Sequence, residues 1–182
     1  MNRDQLAARL LERAYLEGDF LLRSGRRSLY YLDKYRFETD PQLLAGLGRE
    51  LAVLVAGQGD QAELLAGPEL GAVPLAAVTS IETGLPFVIV RKAAKEYGTG
   101  NRLEGVFEPG MRVCVVEDVV TSGGALLSAV EALREADLRV SAAICVVDRE
   151  EGGAEAIVAA GVPFKALYTS SQLGVGAASA NA

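Results

Sequence analysis

From residue 63 to residue 169, short and almost unbroken apolar runs alternate with stretches patterned for helix, and few folds accept that order. The runs "ELLAG" (63–67), "PFVIV" (86–90), "RVCVVE" (112–117), "VSAAICVVD" (140–148) and "FKALYT" (164–169) read as strands, with helical stretches at 72–83, 124–136 and 153–160. A strand that is apolar at nearly every position is buried on both faces, and helices between successive strands supply the covers. The expected fold is α/β, a central, mostly parallel sheet flanked by helices. In such sheets ligands bind beyond the carboxyl ends of the strands. The loops at 67–71, 91–105, 118–124 and 148–153 are therefore where function is expected.

Upstream, Leu6, Leu10, Leu11 and Ala14 fall at helical spacing within 3–16. The stretch 20–37 is aromatic and basic, with a turn at Ser24-Gly25. A second helix is expected from Pro41, at the first helical position behind Asp40 as N-cap. Three units follow: an N-terminal helix and hood (1–40), a core (41–173) and a small, polar tail (174–182) expected to fray. No internal repeat is present.

Charge narrows the range of ligands. A net charge of −6 and a pI near 4.8 argue against nucleic acid as partner. Two local clusters run against that balance. Arg23, Arg26, Arg27, Lys34 and Arg36 face only Asp33 in sequence, and Arg91, Lys92, Lys95 and Arg102 face only Glu96. Such segregation favours a small anion over a polyanion. With no histidine, and with Cys114 and Cys145 in apolar runs, a zinc or haem site is not expected. The cysteines read as reduced core thiols of a cytoplasmic protein. No apolar run reaches the roughly 20 residues of a membrane span, and the charged N-terminus lacks a signal-peptide core.

The stretch "VCVVEDVVTSGGAL" (113–126) carries the sharpest chemistry. Val113, Val115 and Val116 outline a strand expected to stop where Glu117 and Asp118 begin. Gly123 and Gly124 then open a helix, where backbone N–H groups and the helix dipole favour an anion. Thr121 and Ser122 add hydroxyl donors. An ordinary capped turn also fits "TSGG" alone. The preceding carboxylates accept hydrogen bonds from vicinal hydroxyls or hold magnesium. Phosphate donors beside diol acceptors describe a ribose 5-phosphate. Neither the dinucleotide fingerprint nor the Walker ending is present.

This stretch resembles the phosphoribosyl pyrophosphate (PRPP) motif of type I phosphoribosyltransferases. Four further segments, in the same order as in that family, resemble orotate phosphoribosyltransferases in particular. "RKAAKEYGTG" (91–100) is similar to their catalytic loop, matching at Arg91, Lys92 and Lys95, with Tyr97 where the family usually has histidine. A phenol, with a reference pKa near 10, is a poor acid–base catalyst at neutral pH. "DREE" (148–151) is similar to the turn whose arginine, here Arg149, meets the orotate carboxylate. "RSGRRSLYY" (23–31) resembles the hood, with Arg23 for the family's lysine and Tyr31 at an aromatic that packs near the pyrimidine. "GPELG" (67–71) resembles the pyrophosphate loop, with Leu70 and Gly71 where some members carry Tyr-Lys.

The resemblance implies a type I fold with a small hood and a homodimer with shared active sites. It implies transfer of phosphoribosyl from PRPP to orotate, giving orotidine 5′-monophosphate and pyrophosphate in pyrimidine synthesis. Lys95, Arg91 and Asp118 are the implied catalytic residues. PRPP would meet Glu117, Asp118, Thr121, Ser122, Gly123, Gly124, Ala125, Arg91, Lys92, Lys95 and Tyr97. Orotate would meet Arg149, Arg23, Tyr31 and Thr121, and pyrophosphate would meet Glu69, Leu70 and Gly71. Magnesium would be held mainly through PRPP, with Asp118 a further candidate. A phosphoribosyltransferase for another base, such as a purine, and a PRPP-sensing regulator without catalysis remain open alternatives.

Overall fold

The computed structural model describes residues 1–21, 27–58, 61–93 and 102–175. Helix α1 (Arg3–Ala14) begins at a reciprocal cap, in which Asn2 and Gln5 each accept from the other's backbone N–H. Its buried side chains, Leu6, Leu10 and Ala14, recur every fourth residue and so share one face. Strands β1 (Tyr15–Leu21) and β2 (Arg27–Leu32) pair antiparallel as the hood. A short helix α2 (Lys34–Glu38) leads to α3 (Pro41–Ala56). Asp40 caps α3 as expected, accepting from the N–H groups of Gln42 and Leu43 at 3.0 Å each.

The rest of the chain winds β3 (Leu64–Pro68), α4 (Ala72–Thr83), β4 (Phe87–Val90), β5 (Leu103–Glu104), β6 (Arg112–Val120) and α5 (Gly124–Glu135). It closes with β7 (Arg139–Asp148), α6 (Gly153–Ala159), β8 (Phe164–Thr169) and the single turn α7 (Ser170–Leu173). The six-stranded sheet has the order β5-β4-β3-β6-β7-β8, parallel except for the short edge strand β5. Helices cover both faces, the architecture expected from the alternating runs.

Strand alternation divides the core in two. On one face Cys114, Val116 and Ile144 pack with Leu43, Leu47 and Leu51 of α3 and with Leu6 and Leu10 of α1. On the other, Val113, Val115 and Cys145 pack with Leu126, Val130 and Leu133 of α5 and Ile157 of α6. The N-terminal helix therefore shares a core with the sheet.

One expectation is corrected. Strand β6 does not stop at Glu117 but runs through Asp118 to Val120, because β7 stays in register beside it, pairing Val119 with Val147 and Val120 with Asp148. Glu117 and Asp118 are thus successive strand residues on opposite faces. The turn expected at Ser24-Gly25 and residues 176–182 of the tail lie outside the described residues.

Candidate active site

The carboxyl ends of β3, β4 and β6 and the start of α5 enclose a cavity of about 660 Å³. Its walls include Glu69, Arg91, Lys92, Glu117 and the whole run Thr121, Ser122, Gly123, Gly124 and Ala125. Gly123 is the N-cap of α5 at φ +79°, a conformation that costs glycine little, and no described side chain caps this helix. The N–H groups of its first turn therefore open toward the cavity without a capping acceptor, the arrangement that takes an anion. A Cβ on Gly123 would stand 3.1 Å from Gly153 O, so the starts of α5 and α6 touch through glycine.

Arg91 and Lys92 form the facing wall and are tied to the loop after β3. Lys92 N–H donates to Glu69 Oε1 at 2.7 Å, and Arg91 lies 3.7 Å from both Glu69 and Glu104 carboxylate oxygens. Arg91 N–H also donates to Arg102 O at 2.8 Å, closing the stem of the basic loop. Arg102 lines the cavity and donates to Ser128 Oγ at 3.1 Å. Sequence reasoning gave Arg102 no role beyond its charge.

Glu117 forms part of the cavity wall. One of its oxygens accepts from Asp118 N–H at 3.0 Å, and the other, Oε2, is buried without a partner among the described residues. Burial, reinforced by the charge of Asp118, pushes its carboxyl up to about 8. A buried carboxyl with an unmet oxygen suits a hydroxyl donor from a ligand.

Asp118 faces the other way and is 2% exposed. Its Oδ1 accepts from Val119 N–H at 2.6 Å, and its Oδ2 takes the ammonium of Lys34 at 2.6 Å. Glu38, at the end of α2, completes this group; burial first, then Asp118, push its carboxyl up to about 8. Gly71 makes the cluster possible. A Cβ there would collide with Asp118 Oδ2 and stand 2.8 Å from Glu38 Oε1 and 2.9 Å from Lys34 Nζ. Sequence alone singles out neither Lys34 nor Glu38, since each meets Asp118 only through the fold of the hood. The charge cluster at 23–36 is the one available signal.

The hood reaches a second point of the site. Arg149 follows β7 directly, and its Nη2 donates to Tyr30 Oη at 2.8 Å. Its guanidinium carbon lies 4.8 Å from the centre of the Tyr30 ring, and Nε is 3.1 Å from Glu151 Oε1. Tyr31, the next strand residue, turns outward and packs on Phe20 with ring centres 5.5 Å apart. Leu70 is exposed. The sequence candidates Arg23, Lys95 and Tyr97 lie outside the described residues.

Residues 37–159 match the phosphoribosyl transferase domain, and the chain belongs to that family. Curated relatives narrow the likeness. The orotate phosphoribosyltransferase of Methanocella arvoryzae is 51% identical, with 86% of this chain and 87% of that protein covered. That of Methanopyrus kandleri is 48% identical over 95% of this chain and 92% of its own length. Among solved structures, Mycobacterium tuberculosis H37Rv orotate phosphoribosyltransferase in complex with PRPP superposes with a TM-score of 0.81 at 32% identity, covering 95% of this chain and 99% of that one.

Proposed function

We propose that the protein transfers the 5-phosphoribosyl group of PRPP to orotate, giving orotidine 5′-monophosphate and pyrophosphate in pyrimidine synthesis. The observation that carries this reading is the cavity in which an uncapped helix start, a buried carboxyl with an unmet oxygen and two basic side chains converge. Those groups match, in turn, the phosphate, the ribose hydroxyls and the pyrophosphate of one ligand.

The 5-phosphate rests on the first turn of α5, with Thr121 and Ser122 adding hydroxyl donors. Glu117, on the cavity face of β6, accepts from the ribose hydroxyls. Asp118, expected from sequence to share that role, lies on the opposite face with both oxygens engaged. It acts through its charge, favouring the positive charge that builds on the ribose as the anomeric bond breaks. Arg91 and Lys92, joined by Lys95, stabilise the departing pyrophosphate, with Leu70 and Gly71 beside it. Arg149 fixes the orotate carboxylate, for which a planar guanidinium is well matched. Orotate presents its reacting nitrogen as an anion, so positioning and electrostatics outweigh proton transfer. That leaves no obligatory acid–base role for Tyr97.

Magnesium fits this site as a substrate-borne ion. Among the described residues no group of three or more metal-ligating side chains comes together. Mg²⁺ commonly keeps its waters and binds through substrate phosphates plus one or two carboxylates. PRPP would hold it, with Asp118 a further candidate ligand, and the ion would supply charge neutralisation to the leaving group. No described helix is long and apolar enough to cross a membrane, and we place the protein in the cytoplasm as a homodimer with shared sites.

The direct test mixes purified protein with PRPP, Mg²⁺ and orotate and follows the loss of orotate absorbance, with uracil and purine bases as controls. Turnover of a purine without turnover of orotate would overturn the acceptor assignment. PRPP binding without turnover of any base would leave a regulator. Asp118→Asn is expected to lower kcat about 100-fold. If sites are shared, mixing Lys95→Ala chains with Asp118→Asn chains restores part of the activity through hybrid dimers.

A further inference from the structure

The contact between Tyr30 and Arg149 joins residues 119 positions apart in sequence and links the hood to the end of β7. The backbone of Arg149 is already fixed, since its N–H donates to Val120 O at 2.8 Å. What remains free in a long arginine is the direction of its guanidinium. Here that direction is set by two neighbours of different kinds. Glu151 approaches Nε at 3.1 Å and brings negative charge. Tyr30 meets Nη2 with its hydroxyl and the guanidinium with its ring, and brings none.

The difference matters for a residue that must receive a carboxylate. A charged partner orients an arginine but competes with the ligand for it. A phenol orients it while leaving its charge available, and the aromatic face adds a cation–π attraction. Glu151 sits beside Nε without a hydrogen bond to it, and Tyr30 takes one of the five guanidinium donors, which leaves donors for a carboxylate. Tyr30 is itself held. It is 9% exposed and stacks on Tyr15, with ring centres 5.7 Å apart and planes 21° from parallel. Tyr15 begins the strand directly after α1. A chain of packed side chains thus runs from the core through Tyr15 and Tyr30 to Arg149.

We propose that Tyr30 is a positioning residue for acceptor specificity, holding the Arg149 guanidinium ready for the acceptor's carboxylate without neutralising it. This rests on the assignment of Arg149 to the orotate carboxylate, and the experiment separates the two. Tyr30→Phe removes the hydroxyl but keeps the ring on Tyr15, so the hood stays packed. Steady-state kinetics of the intact enzyme should show the KM for orotate rising about tenfold, as for loss of a charge-assisted hydrogen bond. The KM for PRPP should change less than about twofold. The preference for orotate over uracil, which lacks the carboxylate, should fall by the same factor as orotate binding.

In the Arg149→Gln background Tyr30→Phe should have no further effect, because the group it positions is gone. If Arg149→Gln raises the KM for orotate and Tyr30→Phe does not, the positioning role is overturned while the Arg149 assignment stands. If Tyr30→Phe weakens PRPP and orotate equally, its role is only to pack the hood, and the proposal is again overturned. An unchanged orotate KM in Arg149→Gln would remove the assignment and the inference with it.

Discussion

Lys34 and Asp118 form a largely buried pair whose partners differ in exposure, 32% for the lysine side chain and 3% for the aspartate. Removing the ammonium would leave Asp118 beside Glu38 and Glu117 without that cation. Lys34→Met should therefore cost about 2 kcal/mol, between the values for exposed and buried pairs; thermal unfolding measures it. Glu38 gives a test with a defined sign. Its folded carboxyl titrates near 8 against an ordinary 4.5, from burial and the neighbouring Asp118 charge. The folded state thus binds more protons than the unfolded chain between those values, and stability falls as pH rises through that window. Glu38→Gln should raise Tm by several degrees at pH 8 and by almost nothing at pH 4.5; an equal shift at both would contradict burial of a titrating carboxyl as the cause. These contacts are not legible in sequence, where Lys34 counts only as one charge in a basic stretch. Period-two alternation separates the faces of Tyr30 and Tyr31, but which face meets Arg149 depends on where the hood docks.

At the scale of elements, local signals suffice wherever a single segment carries them. Asp40 and Pro41 start α3 because a cap and a fixed φ act within a few residues, and the apolar runs form β3 to β8 apart from the short edge strand β5. The end of β6 departs from expectation because its last pairs are supplied by β7, some 28 residues away, and not by its own composition. The junction of α5 and α6 is similarly a property of two elements. A Cβ on Gly153 would collide with Thr121 O and stand 2.9 Å from Gly123 N. Gly153→Ala should therefore push the start of α5, the proposed phosphate cradle, out of place. We expect a rise of about tenfold in the KM for PRPP with a smaller change for orotate. Equal changes for both substrates would point instead to general loosening of the fold.

Across the molecule, the hood depends on the same core as the sheet. Leu10 is fully buried among residues from α1, α3 and the sheet. Leu10→Ala should cost about 3 kcal/mol in denaturant unfolding, in one cooperative transition and not through separate loss of the hood. Two separate transitions would show that residues 1–40 unfold on their own. Two buried cysteines, Cys114 on this face of the sheet and Cys145 on the other, offer a way to watch the sheet open. Burial pushes the Cys114 thiol up to about 12 and raises that of Cys145 as well, so neither is a nucleophile while the sheet is closed. Cys145 lies beside Glu117, a residue of the cavity wall, in the pairing of β6 with β7. An alkylating reagent would therefore act as a clock for the intact enzyme. Its reaction counts the rare moments when β6 and β7 part, and a ligand that closes over Glu117 lengthens the interval between them.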